Sequence, residues 1–501
     1  MAKARQRFTN TGTFTAPAGV AYVEVVARVK RRGLLSLSAG GGATGRVNGF
    51  IDQNGDLFMM GLGINGQLGN NDFTSRSSPV LVVGGQKWKK VISNGFTTIG
   101  LNTSGQVYCW GLNTNGNVGD GTTADKSTPT LVVGMNNLKF MDVTINRGGG
   151  MYALATNGLG YAWGNNLNGA LGLGDVTPRS SPVLISASLQ FKKIVPTADG
   201  TNLACYFLSP FGQLYAAGKN DQGQLGIGNV TDKSTPTLVV GGYSFTNVVA
   251  TEKFAIALDA SGNPYKWGQG APASAAAASS PVLLAGGLTF VDIAVCKDSA
   301  QFLKSNGSLY AMGNNSAGQI GDGTVTSRSS ITAVIGGFSF SKIFNSDGSG
   351  VSGQESIYAI SKAGGQLYCW GDNTQGQLGL GDVVARSSPC LIAGTFSYKE
   401  VSTDSDTVVM LGEDGSIITV GNNFTGQLGQ NITGGIFSAS SSPTLIAGNN
   451  LGNALDKVVV SRCDVSPGSA YQVLLGQYFA KFGDVQVGDE FPESVEVYFD
   501  Q

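Results

Sequence analysis

The fold follows from residues 104–132, SGQVYCWGLNTNGNVGDGTTADKSTPTLV, because variants of these residues recur along the chain. This stretch consists of a short aromatic segment ending in glycine, a loop of the type N-x-x-G-Q-L-G, and a segment of the type S-x-P-x-L. Residues 54–82, NGDLFMMGLGINGQLGNNDFTSRSSPVLV, are an earlier copy. The glycines that end the aromatic segments, called marker glycines here, lie 45 to 58 residues apart at Gly61, Gly111, Gly164, Gly218, Gly268, Gly313, Gly371 and Gly421. Self-similarity at this period predicts one repeat architecture rather than a string of separate domains.

Each copy has the composition of short β-strands. Residues 89–101, KKVISNGFTTIGL, mix β-branched and aromatic residues, and N-G or D-G dipeptides precede many of the aromatic segments, as tight hairpins require. No stretch shows helical periodicity. The sequence therefore predicts an all-β protein with a single β-propeller over residues 46–450. We expect eight blades, one for each copy, with seven as the alternative.

Two copies depart from the common length. In five copies a proline follows the marker glycine by 18 residues, and Ile331 takes this position in the sixth copy. The fifth copy is five residues shorter and carries GAPASAAAASS in place of G-Q-L-G, whereas the eighth is four residues longer. Because such length changes usually fall in loops on one face, we expect partner contacts at residues 270–280 and 430–442.

The unit W-G-x-N-x-x-G-Q-L-G resembles the repeat of the regulator of chromosome condensation family. The resemblance covers roughly residues 45–450, and G-Q-L-G or a close variant is present in seven of the eight copies. It implies a propeller, most often of seven blades in that family. The guanine-nucleotide exchange activity of the family's founder lies in loops that do not match this chain residue by residue.

Composition excludes several classes of function. The chain has 32 basic and 33 acidic residues and no histidine among 501 residues, of which 75 are glycine. A net charge of −1 argues against nucleic-acid binding, and the lack of histidine excludes Ser-His-Asp catalysis and histidine-ligated zinc. No run of 18 apolar residues predicts a membrane-spanning helix. We therefore expect no enzymatic activity, no cofactor, no metal site and no membrane insertion.

The cysteines and tryptophans fit structural roles. The six cysteines form no C-x-x-C pair, so we expect buried free thiols rather than a metal site: Cys109, Cys205, Cys296, Cys369, Cys390 and Cys463. Four of the five tryptophans directly precede a marker glycine, where packing between blades explains them: Trp110, Trp163, Trp267 and Trp370.

A basic residue recurs 15 positions after the marker glycine in six copies: Arg76, Lys126, Arg179, Lys233, Arg328 and Arg386. Equivalent positions form a ring in a propeller, and a ring of cations could bind an anionic polymer such as an acidic glycan. The preferred alternative is that each cation pairs with a nearby carboxylate or carbonyl and fixes its own loop. Asp120, Asp175, Asp322 and Asp382 follow the same loops, where turn formation explains them better than calcium binding does.

The two ends of the chain carry opposite charge. Residues 1–32 include seven basic residues, and residues 484–501 include six acidic residues and no basic one. We expect the ends to meet, within one chain or between chains, and residues 1–45 to supply an anchor or first-blade strands while residues 451–501 close the ring or contact a partner. The candidate partner-binding residues are Lys3, Arg5, Arg7, Lys30, Arg31, Arg32, Glu493 and Glu496.

Residues 8–29, FTNTGTFTAPAGVAYVEVVARV, resemble an element that is frequent in bacteriophage tail-fibre and other virion proteins. The resemblance implies a non-enzymatic virion protein, a tail-fibre, receptor-binding or capsid decoration component, assembled in the host cytoplasm. Its implied partners are other virion proteins and a host-surface glycan or protein, and its implied state on the particle is oligomeric. The alternatives are a bacterial protein-binding propeller of the inhibitor type and, less favoured, a guanine-nucleotide exchange factor.

Overall fold

The computed structural model describes residues 3–500 except 9–11, 16–21, 30–35, 43–44, 53, 136, 198–201, 270–276, 285, 347–354, 393–396, 404–405, 431–438, 447–457, 465–469, 476–478, 483–484 and 490–491. The chain divides into two compact units. One unit is formed by residues 34–413 and 417–448, and the other by residues 1–33, 414–416 and 449–501.

The larger unit consists of eight four-stranded antiparallel sheets, and each sheet is one blade built from contiguous chain. The first strands are β4 (Ser36–Gly42), β8 (Trp88–Ser93), β12 (Phe140–Ile145), β16 (Lys193–Pro196), β20 (Phe245–Ala250), β24 (Asp292–Val295), β28 (Phe340–Asn345) and β32 (Tyr398–Thr403). The second strands are β5 (Gly45–Ile51), β9 (Thr97–Asn102), β13 (Gly150–Ala155), β17 (Ala204–Leu208), β21 (Phe254–Asp259), β25 (Ser299–Leu303), β29 (Ser356–Ser361) and β33 (Thr407–Gly412).

The third strand of each blade ends at its marker glycine. The third strands are β6 (Leu57–Gly61), β10 (Val107–Gly111), β14 (Gly160–Gly164), β18 (Leu214–Gly218), β22 (Pro264–Gly268), β26 (Leu309–Gly313), β30 (Leu367–Gly371) and β34 (Ile417–Gly421). The fourth strands are β7 (Arg76–Leu81), β11 (Lys126–Leu131), β15 (Arg179–Leu184), β19 (Lys233–Leu238), β23 (Ala278–Leu283), β27 (Arg328–Ala333), β31 (Arg386–Leu391) and β35 (Ser440–Leu445). A single-turn 3-10 helix covers Leu167–Gly169. No helix within the described ranges is long and apolar enough to cross a membrane.

The first strands form the inner wall of the ring. Each lies beside the first strand of the next blade, and β32 of blade 8 lies beside β4 of blade 1. At this closing junction, Asn48 Nδ2 donates to the Gln427 carbonyl over 2.8 Å. The prediction of an all-β propeller with eight blades is therefore confirmed.

The core lies between neighbouring blades. Trp110 of blade 2 is fully buried and belongs to one apolar cluster with Leu68 and Val82, which follow the third and fourth strands of blade 1. Trp88 begins the first strand of blade 2, and its ring centroid lies 5.3 Å from that of Trp110. Burial between blades stabilises the ring because no single thin sheet can cover its own apolar faces.

The smaller unit contains two four-stranded sheets, with strand orders β1-β40-β3-β36 and β2-β37-β38-β39. Its strands are β1 (Lys3–Phe8), β2 (Gly12–Thr15), β3 (Tyr22–Val29), β36 (Val458–Asp464), β37 (Ala470–Leu475), β38 (Phe479–Phe482), β39 (Val485–Asp489) and β40 (Pro492–Asp500). The two ends of the chain thus meet within one molecule, and the β1–β40 register sets Arg7 opposite Glu496.

This arrangement differs from the expectation that residues 451–501 close the ring. Every repeat already supplies all four strands of its blade, so no blade needs a strand from a chain end. Blade 1 begins at Ser36, and the strands before it belong to the smaller unit.

Candidate binding face of the propeller

The loops between third and fourth strands carry the repeat motif, and a buried asparagine anchors each of them from blade 2 onward except in blade 5. Asn113, two residues after the marker glycine of blade 2, is fully buried. Its Oδ1 accepts from the Val118 N–H over 2.8 Å, and its Nδ2 donates to the Ala124 carbonyl over 2.9 Å. The same contacts recur at the equivalent residues Asn166, Asn220, Asn315 and Asn373, and Asn423 accepts the equivalent N–H. The motif asparagine therefore holds both halves of the loop on one side chain.

The motif glutamine joins neighbouring blades. The Gln67 carbonyl in blade 1 accepts from Trp110 Nε1 in blade 2 over 2.9 Å, and Gln67 Nε2 donates to the Gly95 carbonyl of blade 2 over 3.1 Å. The indoles of Trp163, Trp267 and Trp370 donate in the same way to the preceding blade. The sequence-based assignment of these tryptophans to packing between blades agrees with this geometry.

Two glycines of the loop are required by close approach. Gly111 has φ of 101°, and a Cβ there would lie 2.4 Å from the Phe96 carbonyl oxygen. A Cβ on Gly66 would lie 2.6 Å from the Cα of Ser127 in the next blade. Both positions therefore exclude any side chain.

The recurring cations lie on these loops, and five of the six pair with an aspartate. The ion pairs are Arg76–Asp72, Lys126–Asp120, Arg179–Asp175, Arg328–Asp322 and Arg386–Asp382. The distances are 2.9 Å for Lys126–Asp120 and 2.6 Å for Arg386–Asp382. The geometry is that of the local-pairing alternative, and anion binding by this ring stays a prediction.

Hydrogen bonds lower the pKa of two of these aspartates, Asp120 and Asp382. Partial burial works to raise the pKa of Asp120, but hydrogen bonds from Thr122 and Lys126 outweigh it and hold that pKa below its usual value. The hydrogen bond from Arg386 lowers the pKa of Asp382 in the same direction. These carboxylates are thus ionised and engaged at neutral pH. In the described residues no group of three or more acidic or cysteine side chains could hold a metal ion.

Lys233 is the exception in the ring. Blade 4 has Asn229 where blades 1, 3 and 7 have the aspartate, and among the described residues no ion pair reaches Lys233. The Asn229 side chain still stabilises the turn, because its Oδ1 accepts from the Thr231 N–H over 3.0 Å.

The same loops expose apolar side chains at two equivalent positions. Each exposed apolar residue lies either three or twelve residues after the marker glycine of its copy: Ile64, Phe73, Leu167, Val176, Val230, Val325, Val383 and Phe424. We call this set the loop rim. Phe424 in blade 8 is 65% exposed, and Ile64 in adjacent blade 1 is 60% exposed. This set was not predicted from the sequence, although apolar residues at loop positions outside any predicted strand were a readable signal.

Charges of alternating sign line the inner wall at one end of the ring. Lys90 Nζ of blade 2 lies 2.5 Å from Asp142 Oδ1 of blade 3, and Lys193 Nζ of blade 4 lies 2.8 Å from Asn247 Oδ1 of blade 5. Asp292, Lys342 and Glu400 continue this series in blades 6 to 8. Burial lowers the pKa of Lys193 and raises that of Asp292. This series holds three basic and three acidic side chains, of which Lys90 and Asp142 form an ion pair.

A buried carboxylate joins blades 6 and 7. Glu355 is fully buried and accepts from the Asp298 N–H over 2.6 Å, from Ser299 Oγ over 2.8 Å and from Gln319 Nε2 over 3.3 Å. Burial raises its pKa to about 7, against the lowering effect of these donors. Glu355 was not predicted from the sequence, because the eight copies have no residue type in common at its position.

Some of the remaining predicted residues lie in the part of the chain that the structure describes, and others lie outside it. Lys3, Arg5 and Arg7 lie on β1, and Glu493 and Glu496 lie on β40, so the paired end strands carry them together. The basic residues at positions 30–32 and most of the two altered loops lie outside the described residues. Cys463 lies on β36, and the other five cysteines are free, with Cys390 half-buried and the rest buried. Burial raises the pKa of Cys109, Cys205 and Cys369 well above the usual range, which keeps these thiols protonated.

Residues 54–98, 104–149, 157–205, 212–258 and 364–403 match the family described as "Regulator of chromosome condensation (RCC1) repeat". Residues 88–117 match a second family with the same description. The propeller is therefore built from RCC1 repeats, as the sequence resemblance predicted.

Among curated proteins, Protein RCC2 of Mus musculus is 36% identical over 117 residues, which is 23% of this chain and 22% of that protein. Protein RCC2 of Homo sapiens is 35% identical over 117 residues, again 22% of its length. The chain thus matches only about a fifth of the length of these relatives.

Two solved structures share the fold. Human WBSCR16 superposes with a TM-score of 0.56 at 18% identity, over 72% of this chain and 100% of that chain. Prp20p from Saccharomyces cerevisiae superposes with a TM-score of 0.54 at 16% identity, over 95% of this chain and 93% of that chain.

Proposed function

We propose that this chain is a non-enzymatic scaffold whose propeller binds another protein through the loop rim. The observation that carries the proposal is the set of apolar side chains that project from equivalent loops of different blades. Phe73 is 51% exposed, and Ile64 and Phe424 are more exposed still. Apolar side chains held in water at repeated positions favour contact with another macromolecule.

Rigidity supports the same proposal. Behind the exposed Val383 of blade 7, the motif residues Asn373 and Gln377 are buried and hydrogen-bonded to their own loop. A surface that is fixed before binding loses little conformational entropy when a partner docks. The solved structure of Prp20p is described together with its binding to Gsp1p and histones, so a propeller of this fold serves protein binding there.

Site-specific photocrosslinking tests the proposal. A photoreactive phenylalanine analogue at Phe424 or Phe73 reports on the loop rim. The same analogue at Phe211, which is 81% exposed on a turn between second and third strands, reports on the opposite end of the blades. We expect protein adducts from Phe424 and Phe73 in the native host. Adducts from Phe211 alone, or from no position, contradict the proposal.

A finer proposal concerns the biological setting, which we place in a bacteriophage virion. It is supported by the residue 8–29 element and by nothing else in the chain. The partners are then other virion proteins and a host-surface glycan or protein, with several copies on the particle. Fractionation of the native lysate followed by electron microscopy tests this setting. An eight-bladed ring on a capsid or tail supports it, and a protein found only free of particles contradicts it while leaving the scaffold proposal standing.

A further inference from the structure

The outer edge of blade 6 differs from that of every other blade. In seven blades the fourth strand contains a proline: Pro79, Pro129, Pro182, Pro236, Pro281, Pro389 and Pro443. Blade 6 has Ile331 at this position. Proline has no N–H, so it removes a main-chain donor from an edge strand and discourages further pairing.

The main-chain N–H that a proline lacks at this position would point away from the third strand, toward the outer side of the sheet. In blade 6 the Val334 N–H donates to the Leu309 carbonyl, and Ala333 is registered with Tyr310. Thr332 pairs with Ala311 in the regular part of the ladder, and the register shifts between Ala311 and Gly313, where Gly313 pairs with Arg328. Since neighbouring residues of a strand point their main-chain groups to opposite sides, Ile331 and Ala333 face away from the third strand. Ile331 therefore presents both an N–H and a carbonyl on the outer edge of the sheet.

The described residues of the neighbouring blade, which exclude 270–276, leave this edge uncovered as well. At the other junctions, the motif loop of one blade packs on the second residue of the next fourth strand. The Gly121 N–H donates to the Ser180 carbonyl over 2.8 Å, and the Gly228 N–H donates to the Ser279 carbonyl over 2.7 Å. Blade 5 has no G-Q-L-G segment, and Ser329 of blade 6 is exposed, whereas its seven counterparts are half-buried: Ser77, Ser127, Ser180, Ser234, Ser279, Ser387 and Ser441.

We propose that β27 pairs antiparallel with β27 of a second copy of this chain and makes a closed dimer. Centred on Ile331, this pairing sets Ile331 opposite itself and Ala333 opposite Ser329, and it continues the hydrogen bonding of both sheets. The strand between these residues is uncharged. Arg328, already paired with Asp322 at 2.5 Å, falls opposite Val334, so no like charges meet.

The prolines of the other seven blades make the association stop at two copies. An isologous contact uses the same surface on both molecules, and within the propeller only blade 6 offers this surface. The contact is distinct from the loop rim, because it uses the outer edge of a sheet rather than loop tips. A six-residue edge buries less surface than a standard interface, so we expect a reversible, concentration-dependent dimer.

Sedimentation velocity of the full chain over a wide concentration range tests the proposal. The key variant is Ile331→Pro, which gives blade 6 the residue that seven blades already carry; because the Ile331 side chain also packs against the apolar cluster between blades 5 and 6, circular dichroism first checks that the variant is folded. Ile331→Val is the matched control because it retains the N–H. We expect dimers in the wild type and the control, and only monomers in Ile331→Pro.

Two further variants sharpen the test. Ala333→Lys places a charge on the same exposed edge and should also abolish the dimer. Pro129→Ile restores the donor in blade 2, where the Asn71 N–H of blade 1 still donates to the Ser127 carbonyl over 2.9 Å, so this variant should form nothing larger than a dimer. A wild type that stays monomeric at every concentration overturns the proposal, as does an Ile331→Pro variant that is folded and still dimeric.

Discussion

The junction between blades 4 and 5 and the junction between blades 5 and 6 are built from the same repeat but are held together differently. At the first, Trp267 Nε1 donates to the Gln224 carbonyl over 2.8 Å, and the loop of blade 4 covers Ser279. At the second, blade 5 lacks the glutamine loop, and Met312 replaces the tryptophan in blade 6. At this junction the loop glutamine and the tryptophan of the next blade are absent together, whereas blades 7 and 8 keep the glutamine although Val420 and Met60 stand at the tryptophan position of the blades that follow.

The junction between blades 3 and 4 also lacks both the loop glutamine and the tryptophan. The loop of blade 3 has Ala170 in place of the glutamine, and blade 4 has Ala217 in place of the tryptophan. Here the Tyr152 hydroxyl of blade 3 donates to the Ala170 carbonyl over 2.9 Å. A tyrosine within the blade thus satisfies the carbonyl that the next blade's indole would otherwise satisfy.

Removing the indole from a regular junction should have the largest effect. Trp267→Ala leaves a cavity and removes one of two donors to the Gln224 carbonyl, which still accepts from the Tyr206 hydroxyl, so we expect the free energy of unfolding to fall by about 3–5 kcal/mol, mainly from the cavity. Urea denaturation measures this change. Phe211→Ala, at a residue 81% exposed, is the control and should change stability by less than about 0.5 kcal/mol. Equal effects of the two variants would show that the junction is not held by the tryptophan.

The junction between blades 6 and 7 should be sensitive to pH. The pKa of Glu355 is about 7 in the folded chain against 4.5 ordinarily. Between these values the unfolded chain releases a proton that the folded chain retains, so the free energy of unfolding falls as pH rises and levels off above pH 7. The total decline from this group is about 3 kcal/mol at most.

Glu355→Gln isolates that effect. Because the amide is neutral at every pH, the melting temperature of the variant should not show this decline as pH rises. It should exceed the melting temperature of the wild type most clearly at alkaline pH. A wild-type advantage that grows with pH would mean that the carboxylate is stabilised rather than penalised by its three donors.

The loop anchors should contribute less than the junctions. Asn220→Ala leaves the Leu225 N–H and the carbonyls of Asn229 and Thr231 without their partner, each within 3.0 Å of the amide at present. We expect a loss of about 1–3 kcal/mol, measured by chemical denaturation. The same substitution at exposed Asn157 serves as the control and should be nearly silent.

The recurring cations should matter least. Lys126→Met breaks an ion pair with Asp120, for which we expect a loss of about 0.2–1 kcal/mol that shrinks in high salt. Lys233→Met, where blade 4 has no aspartate partner, should produce no loss. A comparable loss at Lys233 would point to a role beyond local pairing, such as the anion binding that the sequence also allowed.

Much of the propeller could be predicted from the sequence because each repeat contains all four strands of one blade. The marker glycines end the third strands as expected, and the motif glycines occupy positions where a side chain has no room, as at Gly66 and Gly111. The fate of the chain ends could not be predicted, because opposite charge shows only that ends attract and not which strands pair. The loop rim was readable as apolar residues at repeated loop positions, but the prediction rested on the strand and turn pattern; Glu355 was missed because the repeats share no residue type at its position.

Each blade takes all four of its strands from one uninterrupted stretch of chain. Ring closure therefore relies on side-chain packing and hydrogen bonds such as Asn48 to Gln427, not on a strand borrowed from the other terminus. Duplicating or deleting one whole repeat leaves every remaining sheet complete, so gene-level gain or loss of a blade needs no compensating change elsewhere in the sheets. The same property makes a circularly permuted propeller, cut between any two blades, a chain of eight intact sheets.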